Sequence, residues 1–341
     1  MATVQGESTF GYYGLETQSP DAANFARIEQ VKTIIKKFLD DIQFDRSTPF
    51  IKNRDLEAAV WNYFLNLYMG QDIEKKVQKR LKLSVTLIHQ AYTSLPFDIK
   101  VACSAQVLYM FLVDDIAEDF IEDLQIFNQN FVLNKGHQHP LLNHFDIHLR
   151  ALSRYYGPYC HSAILKSVFD YVNGRIIEHQ MEQSSFRFPS DSHLMPMFLR
   201  TKVGGAEILI HMLWPKNLFP EEQTVMQYFP VIAELVLFID FTNDILSYYK
   251  EFVLDDEKGN FVSNFSITHH MQQSDVLRNL STYTPEVLRS VYGMLENHQD
   301  LRESVAQFAQ GWVMLCTAHR RYHLVELFQD EQYLPPYDED S

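Results

Sequence analysis

The sequence predicts an all-α protein, one domain of roughly ten or more helices. Three observations carry this. Helical periodicity dominates between the termini, as where Val31, Ile34, Ile35, Phe38 and Leu39 follow the spacing of one helix face. No stretch sustains the alternation of a strand. Helix starts recur: Ser94-Leu95-Pro96 and Thr284-Pro285-Glu286 each put a hydroxyl cap before a proline of the first turn. A hydrophobic fraction of 46% is enough to bury a large core.

Along the chain, residues 1–25 are polar and contain Gly, Ser and Thr, so they read as a loose N-terminal arm. Residues 26–330 read as the α-domain. Pro215, Pro220 and Pro230 punctuate its middle, and 184–196 and 254–264 read as short loops rather than interdomain linkers. Residues 331–341 form an acidic tail that Pro335-Pro336 keeps from being helical. There is no internal repeat.

Composition excludes several classes. A formal net charge of −15 argues against nucleic acid or an anionic membrane as the main partner. The longest nearly apolar run, Val107 to Val113, is too short for a membrane span, which takes ~20 residues. Met1 to Glu7 lacks the basic and apolar regions of a signal peptide. Cys103, Cys160 and Cys316 are odd in number and form no close pair, which fits a reducing compartment. The expectation is a cytoplasmic protein.

Two segments carry the chemistry. Asp114-Asp115-Ile116-Ala117-Glu118-Asp119 follows the apolar run that ends at Val113. On a helix, Asp114 and Glu118 share a face, as do Asp115 and Asp119, and carboxylates one turn apart can bridge Mg²⁺ ions. A solvated acidic surface is the plain alternative. The second segment is more specific. Asn243, Ser247 and Glu251 fall at i, i+4 and i+8, a stripe of hard oxygen donors after the apolar Leu235 to Ile239. Lys250 stands beside it as a point charge for a diphosphate. A greasy pocket with oxygen ligands at its rim suits a diphosphate gripped through Mg²⁺ and a hydrocarbon tail held dry.

Two basic sites complete the set. Arg200 precedes Gly204-Gly205, which should break or tighten a helix. His319-Arg320-Arg321-Tyr322-His323 offers a guanidinium fork and a phenol for phosphate oxygens. Taken alone, each reads more readily as an ordinary ion-pair partner. His144 and His148 have zinc-helix spacing, but their neighbourhood with His137 and His139 reads as a solvated loop leading into a helix.

These residues resemble the class I terpene cyclases, and among them the fungal trichodiene synthase family. The class motif DDxx(D/E) is matched by Asp114, Asp115 and Glu118, and N-D-x-x-S-x-x-K-E is matched without gaps from Asn243 to Glu251. Tyr156-Gly157-Pro158-Tyr159-Cys160, Leu213-Trp214-Pro215-Lys216 and Arg320-Arg321-Tyr322 are similar to family segments. The resemblance covers roughly residues 35 to 330. It implies a helical bundle around an apolar cavity and three Mg²⁺ ions bound with diphosphate. Asp114, Asp115 and Glu118 would ligate on one side, and Asn243, Ser247 and Glu251 on the other. Arg200, Lys250, Arg321 and Tyr322 would hold the diphosphate of farnesyl diphosphate, and a homodimer is common. Tyr109, Phe111, Gly204, Gly205 and Trp312 would shape the cavity. Departures are His319 for the family's acidic residue, His323 for an arginine, and Trp312 and Val107 for tyrosines. Trichodiene is therefore not the assumed product. The alternatives are a chain-elongating prenyltransferase, which carries a second Asp-rich motif instead of Asn243-Ser247-Glu251, and a non-catalytic helical interaction protein.

Overall fold

A computed structural model describes residues 20–254 and 259–328, apart from the side chains of residues 20–25 and of Val253. Every regular element among the described residues is helical. The first half holds α1 (Pro20–Asp41), α2 (Arg54–Leu65), α3 (Gln71–Ala91), α4 (Phe97–Ile116), α5 (Ile121–Gln125), α6 (Phe127–Val132), α7 (Pro140–Ala151) and α8 (Pro158–Gln183). The second holds α9 (Met195–Val203), α10 (Ala206–His211), α11 (Glu221–Tyr228), α12 (Ile232–Tyr248), α13 (Phe261–His269), α14 (Gln273–Met294), α15 (Gln299–Ala318) and α16 (Leu324–Leu327). Helix α1 starts inside the segment read as an arm, and most of that segment and the acidic tail lie outside the described residues.

The core lies where α3, α4, α12 and α15 meet. Helix α3 packs on α4 and α15, α12 packs on α14 and α10, and α8 packs on α9 and α10. Helix α4 is buried almost all round from Cys103 to Val113, as a central helix must be. Helix α12 is equally apolar, and the helical stretch Glu221–Phe252 around it is long and apolar enough to cross a membrane by length and composition. Here it packs on α14 within the bundle and carries the second polar motif on one face.

Neither proline signal marks a helix start in the way expected. Helix α4 begins at Phe97 with Pro96 in the cap position, and Ser94 does not cap it. Pro285 lies inside α14, where the Thr284 hydroxyl donates back to the Leu280 carbonyl at 2.8 Å instead of capping a new helix. Packing of α14 on α12 and α1 outweighs the missing N–H. The histidine cluster is not a solvated loop either: His137 and His148 are buried, His137 facing Asp146 at 3.3 Å and His148 facing the Tyr63 hydroxyl at 3.2 Å.

Candidate active site

A cavity of about 320 Å³ opens between α3, α4, α8, α9, α12 and α15. Its apolar wall includes Leu83, Leu87, Val107, Phe111, Leu209 and Trp312, and its polar rim includes Asp114, Arg200, Asn243, Glu251, Arg321 and Tyr322. Asp114 of the first motif and Asn243, Asp244 and Glu251 of the second thus line one hollow.

Helix α4 delivers the first motif by phase. Val107, Phe111 and Asp114, spaced four and three apart, line the hollow. Asp114 pairs with Arg175 of α8 at 3.1 Å, and Arg175 also pairs with Glu178. The rest of the motif goes elsewhere. Asp115 is held by Arg80 of α3 through two parallel hydrogen bonds and points away from the cavity lining. The α-helix stops at Ile116 and continues as a 3₁₀ turn from Ala117 to Phe120, so the expected sharing of a face by Asp114 and Glu118 fails. Glu118 instead comes together with His179 and Glu182 of α8, their ligand atoms within 4.8 Å of one another. Tyr109 is also not a cavity residue. Its position between Val107 and Phe111 turns it to the opposite face, where it stacks on Phe145 at 5.0 Å and meets Tyr63 and His148.

Helix α12 delivers the second motif. Asn243 Oδ1 accepts from Arg200 at 3.3 Å, and its Nδ2 donates to the Tyr322 hydroxyl at 3.2 Å. Ser247 is buried next to Glu251 and is not among the residues that line the cavity. After Tyr248 the helix widens into a π turn, Tyr249–Leu254, which carries Lys250 and Glu251. Glu251 lines the cavity and accepts a long 3.4 Å bond from Asn260, whose side chain also caps α13. Lys250 is half-buried and does not line the cavity. Burial raises the Glu251 carboxyl above its ordinary range, and the neighbouring charge of Asp244 adds to this.

Arg200 is the best-held cation. Its Nε donates to both Asp244 oxygens at 3.0 and 3.1 Å, and its terminal nitrogens reach the Asp240 carbonyl at 3.0 Å and the Asp240 carboxylate at 3.2 Å. Burial pulls the guanidinium down, but Asp240 and Asp244 together hold it above its usual value. Helix α9 ends at Val203 as expected. A Cβ on Gly204 would run into Asp240 and Arg200, and Gly205 takes a left-handed φ of 65° that starts α10. Gly204 lines the cavity, whereas Gly205, expected to shape it too, is not in its lining, and a Cβ there would meet Met110.

The C-terminal motif forms a 3₁₀ turn, Arg320–Tyr322. His319 does the work of the missing acid at one point: its Nδ1 accepts from the Arg321 N–H at 3.2 Å. Arg321 and Tyr322 both line the cavity. His323 takes a positive φ of 55° and pairs with Glu326 at 2.9 Å.

Sequence reasoning missed Arg175, Glu178, Asp240, Asp244 and Asn260, all in the cavity lining. One signal was present: Asp240 and Asp244 are one turn apart on the same helix as Asn243.

The donor set fits hard divalent ions. Asn243 offers an amide oxygen and Glu251 a weakly bonded carboxylate at the cavity, with the buried Ser247 hydroxyl beside Glu251. Asp114 lines the same hollow as Asn243 and Glu251.

An all-helical bundle whose apolar hollow is rimmed by such a set defines the class I terpene synthases. The fold is similar to that of linalool/nerolidol synthase from Streptomyces clavuligerus, with a TM-score of 0.61 at 10% identity, over 79% of this chain and 98% of the other. The profile of the family described as Trichodiene synthase (TRI5) matches residues 26–334, and the chain belongs to that family. It is therefore a terpene cyclase, a lyase acting on a diphosphate. Among curated relatives, it is 22% identical to an (E)-beta farnesene synthase from Metarhizium brunneum over 298 residues, covering 87% of this chain and 89% of the relative. It is 24% identical to a trichodiene synthase from Paramyrothecium roridum over 268 residues, covering 77% and 68%.

Proposed function

We propose that the protein is a sesquiterpene synthase that ionises farnesyl diphosphate with Mg²⁺ and releases diphosphate and a C15 product. One observation carries this reading: Asp114, Asn243 and Glu251 line a single hollow that also receives Arg200, Arg321 and Tyr322.

Charge explains why cations must join the substrate. The lining carries the carboxylates of Asp114, Glu178, Asp240, Asp244 and Glu251 against the guanidiniums of Arg175, Arg200 and Arg321. A bare diphosphate would meet surplus negative charge. Asp114 on one side and Asn243, Ser247 and Glu251 on the other would hold the ions, of which we propose three. When bound, they neutralise the leaving diphosphate as Lewis acids. Arg200, Arg321 and Tyr322 donate to its oxygens, and their attraction grows as charge moves onto the leaving group. Phe111 and Trp312 present aromatic faces in a dry wall, each worth about 1–2 kcal/mol to a nearby cation. The absence of a second Asp-rich motif favours cyclisation over chain elongation.

We also propose a cytoplasmic homodimer. Supporting the first is that all three cysteines are free and buried. Supporting the second is the family resemblance, together with apolar side chains such as Val132, Leu133 and Ile147 exposed on α6, α7 and the residues joining them. Size-exclusion chromatography tests it.

The function is tested with geranyl, farnesyl and geranylgeranyl diphosphates, each with Mg²⁺ or with EDTA, and products read by gas chromatography with mass detection. A C15 product from farnesyl diphosphate in Mg²⁺ alone is expected. A longer prenyl diphosphate on addition of isopentenyl diphosphate would support the elongating alternative instead.

A further inference from the structure

The two adjacent aspartates of the first motif are held in different ways. Asp115, outside the cavity lining, receives two parallel hydrogen bonds from Arg80, one from Nε and one from Nη2. Asp114, in the lining, is met by Arg175 through one nitrogen, Nη1, at 3.1 Å. That same Nη1 donates to Glu178, three residues further along α8. Arg175 and Glu178 line the hollow as well. Asp115 is therefore locked, whereas Asp114 shares a single guanidinium nitrogen with a second carboxylate.

This arrangement keeps Arg175 in place whether or not it touches Asp114. Residues three apart on a helix are neighbours, so Glu178 holds the guanidinium at the rim. The two side chains are only 25% and 26% exposed, so water screens their charges less than on an open surface. The guanidinium thus puts a fixed positive charge beside the carboxylate of the first motif that lines the cavity. That charge opposes any cation at Asp114, because like charges a few ångströms apart repel. A diphosphate reverses the balance, since a guanidinium released from Asp114 attracts its oxygens.

Building on the proposed function, we propose that Arg175 is a positioning residue that caps Asp114 until diphosphate arrives, so that Mg²⁺ and diphosphate bind together rather than in turn. Without diphosphate, Arg175 neutralises Asp114 and competes with a cation for it. For Asp114 to act as a ligand, Arg175 gives up that contact and keeps Glu178. Its repulsion then weakens a cation held alone. With diphosphate present, the released Nη1 gains an acceptor and the repulsion is offset. Diphosphate therefore raises the affinity for Mg²⁺, and Mg²⁺ raises the affinity for diphosphate by the same factor. Arg80 and Asp115 take no part in this, because their two bonds lie outside the lining.

The test is thermal melting of the full-length protein against Mg²⁺ concentration, with and without pyrophosphate. In Arg175→Met, which keeps the reach of the side chain and removes its charge, the Mg²⁺ concentration for half of the stabilisation without pyrophosphate should fall by about fivefold or more. The further effect of pyrophosphate on that midpoint should shrink. Arg175→Gln, which can still hydrogen-bond Glu178, should do the same. Arg175→Lys, which keeps the charge, should retain the wild-type midpoints. A residue that served only to brace α8 would lower the melting temperature and leave the midpoints alone. Wild-type midpoints in both uncharged variants, or an equal fall in Arg175→Lys, overturn the inference and leave the synthase reading standing. No stabilisation of the wild-type protein by Mg²⁺ with pyrophosphate overturns the metal site on which the synthase reading rests, and this inference with it.

Discussion

Asn243 accepts a hydrogen bond from Arg200 at 3.3 Å through the same amide oxygen that would face a metal ion. Its amide nitrogen donates to Tyr322 at 3.2 Å. Were that oxygen to hold a divalent ion, the Arg200 N–H now on Asn243 would be available to a diphosphate oxygen. Asn243→Ala should therefore lower Mg²⁺-dependent diphosphate release by about 100-fold or more. Steady-state release assays check this.

The two acidic residues of the first motif should separate. Asp114 faces the cavity, whereas Asp115 is tied to Arg80. Asp114→Ala abolishes turnover. Asp115→Ala keeps turnover within about tenfold but loses about 1–2 kcal/mol of stability, because Arg80 is left without its hydrogen-bonded partner. Chemical denaturation and initial rates on both variants distinguish the roles.

Gly204 lets Arg200 and Asp240 meet where a side chain would intrude. Gly204→Ala pushes the guanidinium off its carboxylates. It should reduce kcat by about tenfold or more, since small misplacements of a substrate-binding charge cost heavily. Kinetics alongside a melting curve show whether the fold survives.

His148 ties stability to pH. Burial lowers its folded value to about 3 from an ordinary 6.5, so the native state holds the ring neutral. Below pH 6.5 the unfolded chain binds a proton that the folded chain refuses. The stabilisation is complete above pH 6.5 and declines as pH falls toward 3, by about 5 kcal/mol in all. His148→Phe should flatten this slope in urea titrations between pH 7 and pH 5.

Much of this was legible in the sequence, because α4 and α12 each combine an apolar run with polar residues at one end. Of the i, i+4, i+8 stripe, Asn243 on α12 and Glu251 on the π turn line the hollow, and Ser247 does not. What escaped depended on helix phase and on distant partners. Tyr109 was misassigned although Val107, Phe111 and Asp114 already defined the cavity face. Asp115 was misread because its partner, Arg80, lies 35 residues earlier on another helix. Asp240 and Asp244 were overlooked because a carboxylate on an apolar helix becomes meaningful only once Arg200 is placed against it. Pro285 misled because tertiary packing carries α14 through it.

The central claim is that Asp114 and Asn243 serve one metal and diphosphate site. Thermal melting with Mg²⁺, pyrophosphate, or both tests it most directly. Both ligands together should raise the melting temperature of the wild-type protein by several degrees, on the order of 3 kcal/mol at saturating ligand. Pyrophosphate alone should raise it little, and Asp114→Ala and Asn243→Ala should each lose the joint effect. An equal shift from pyrophosphate without Mg²⁺, or a joint shift that persists in both variants, would contradict it.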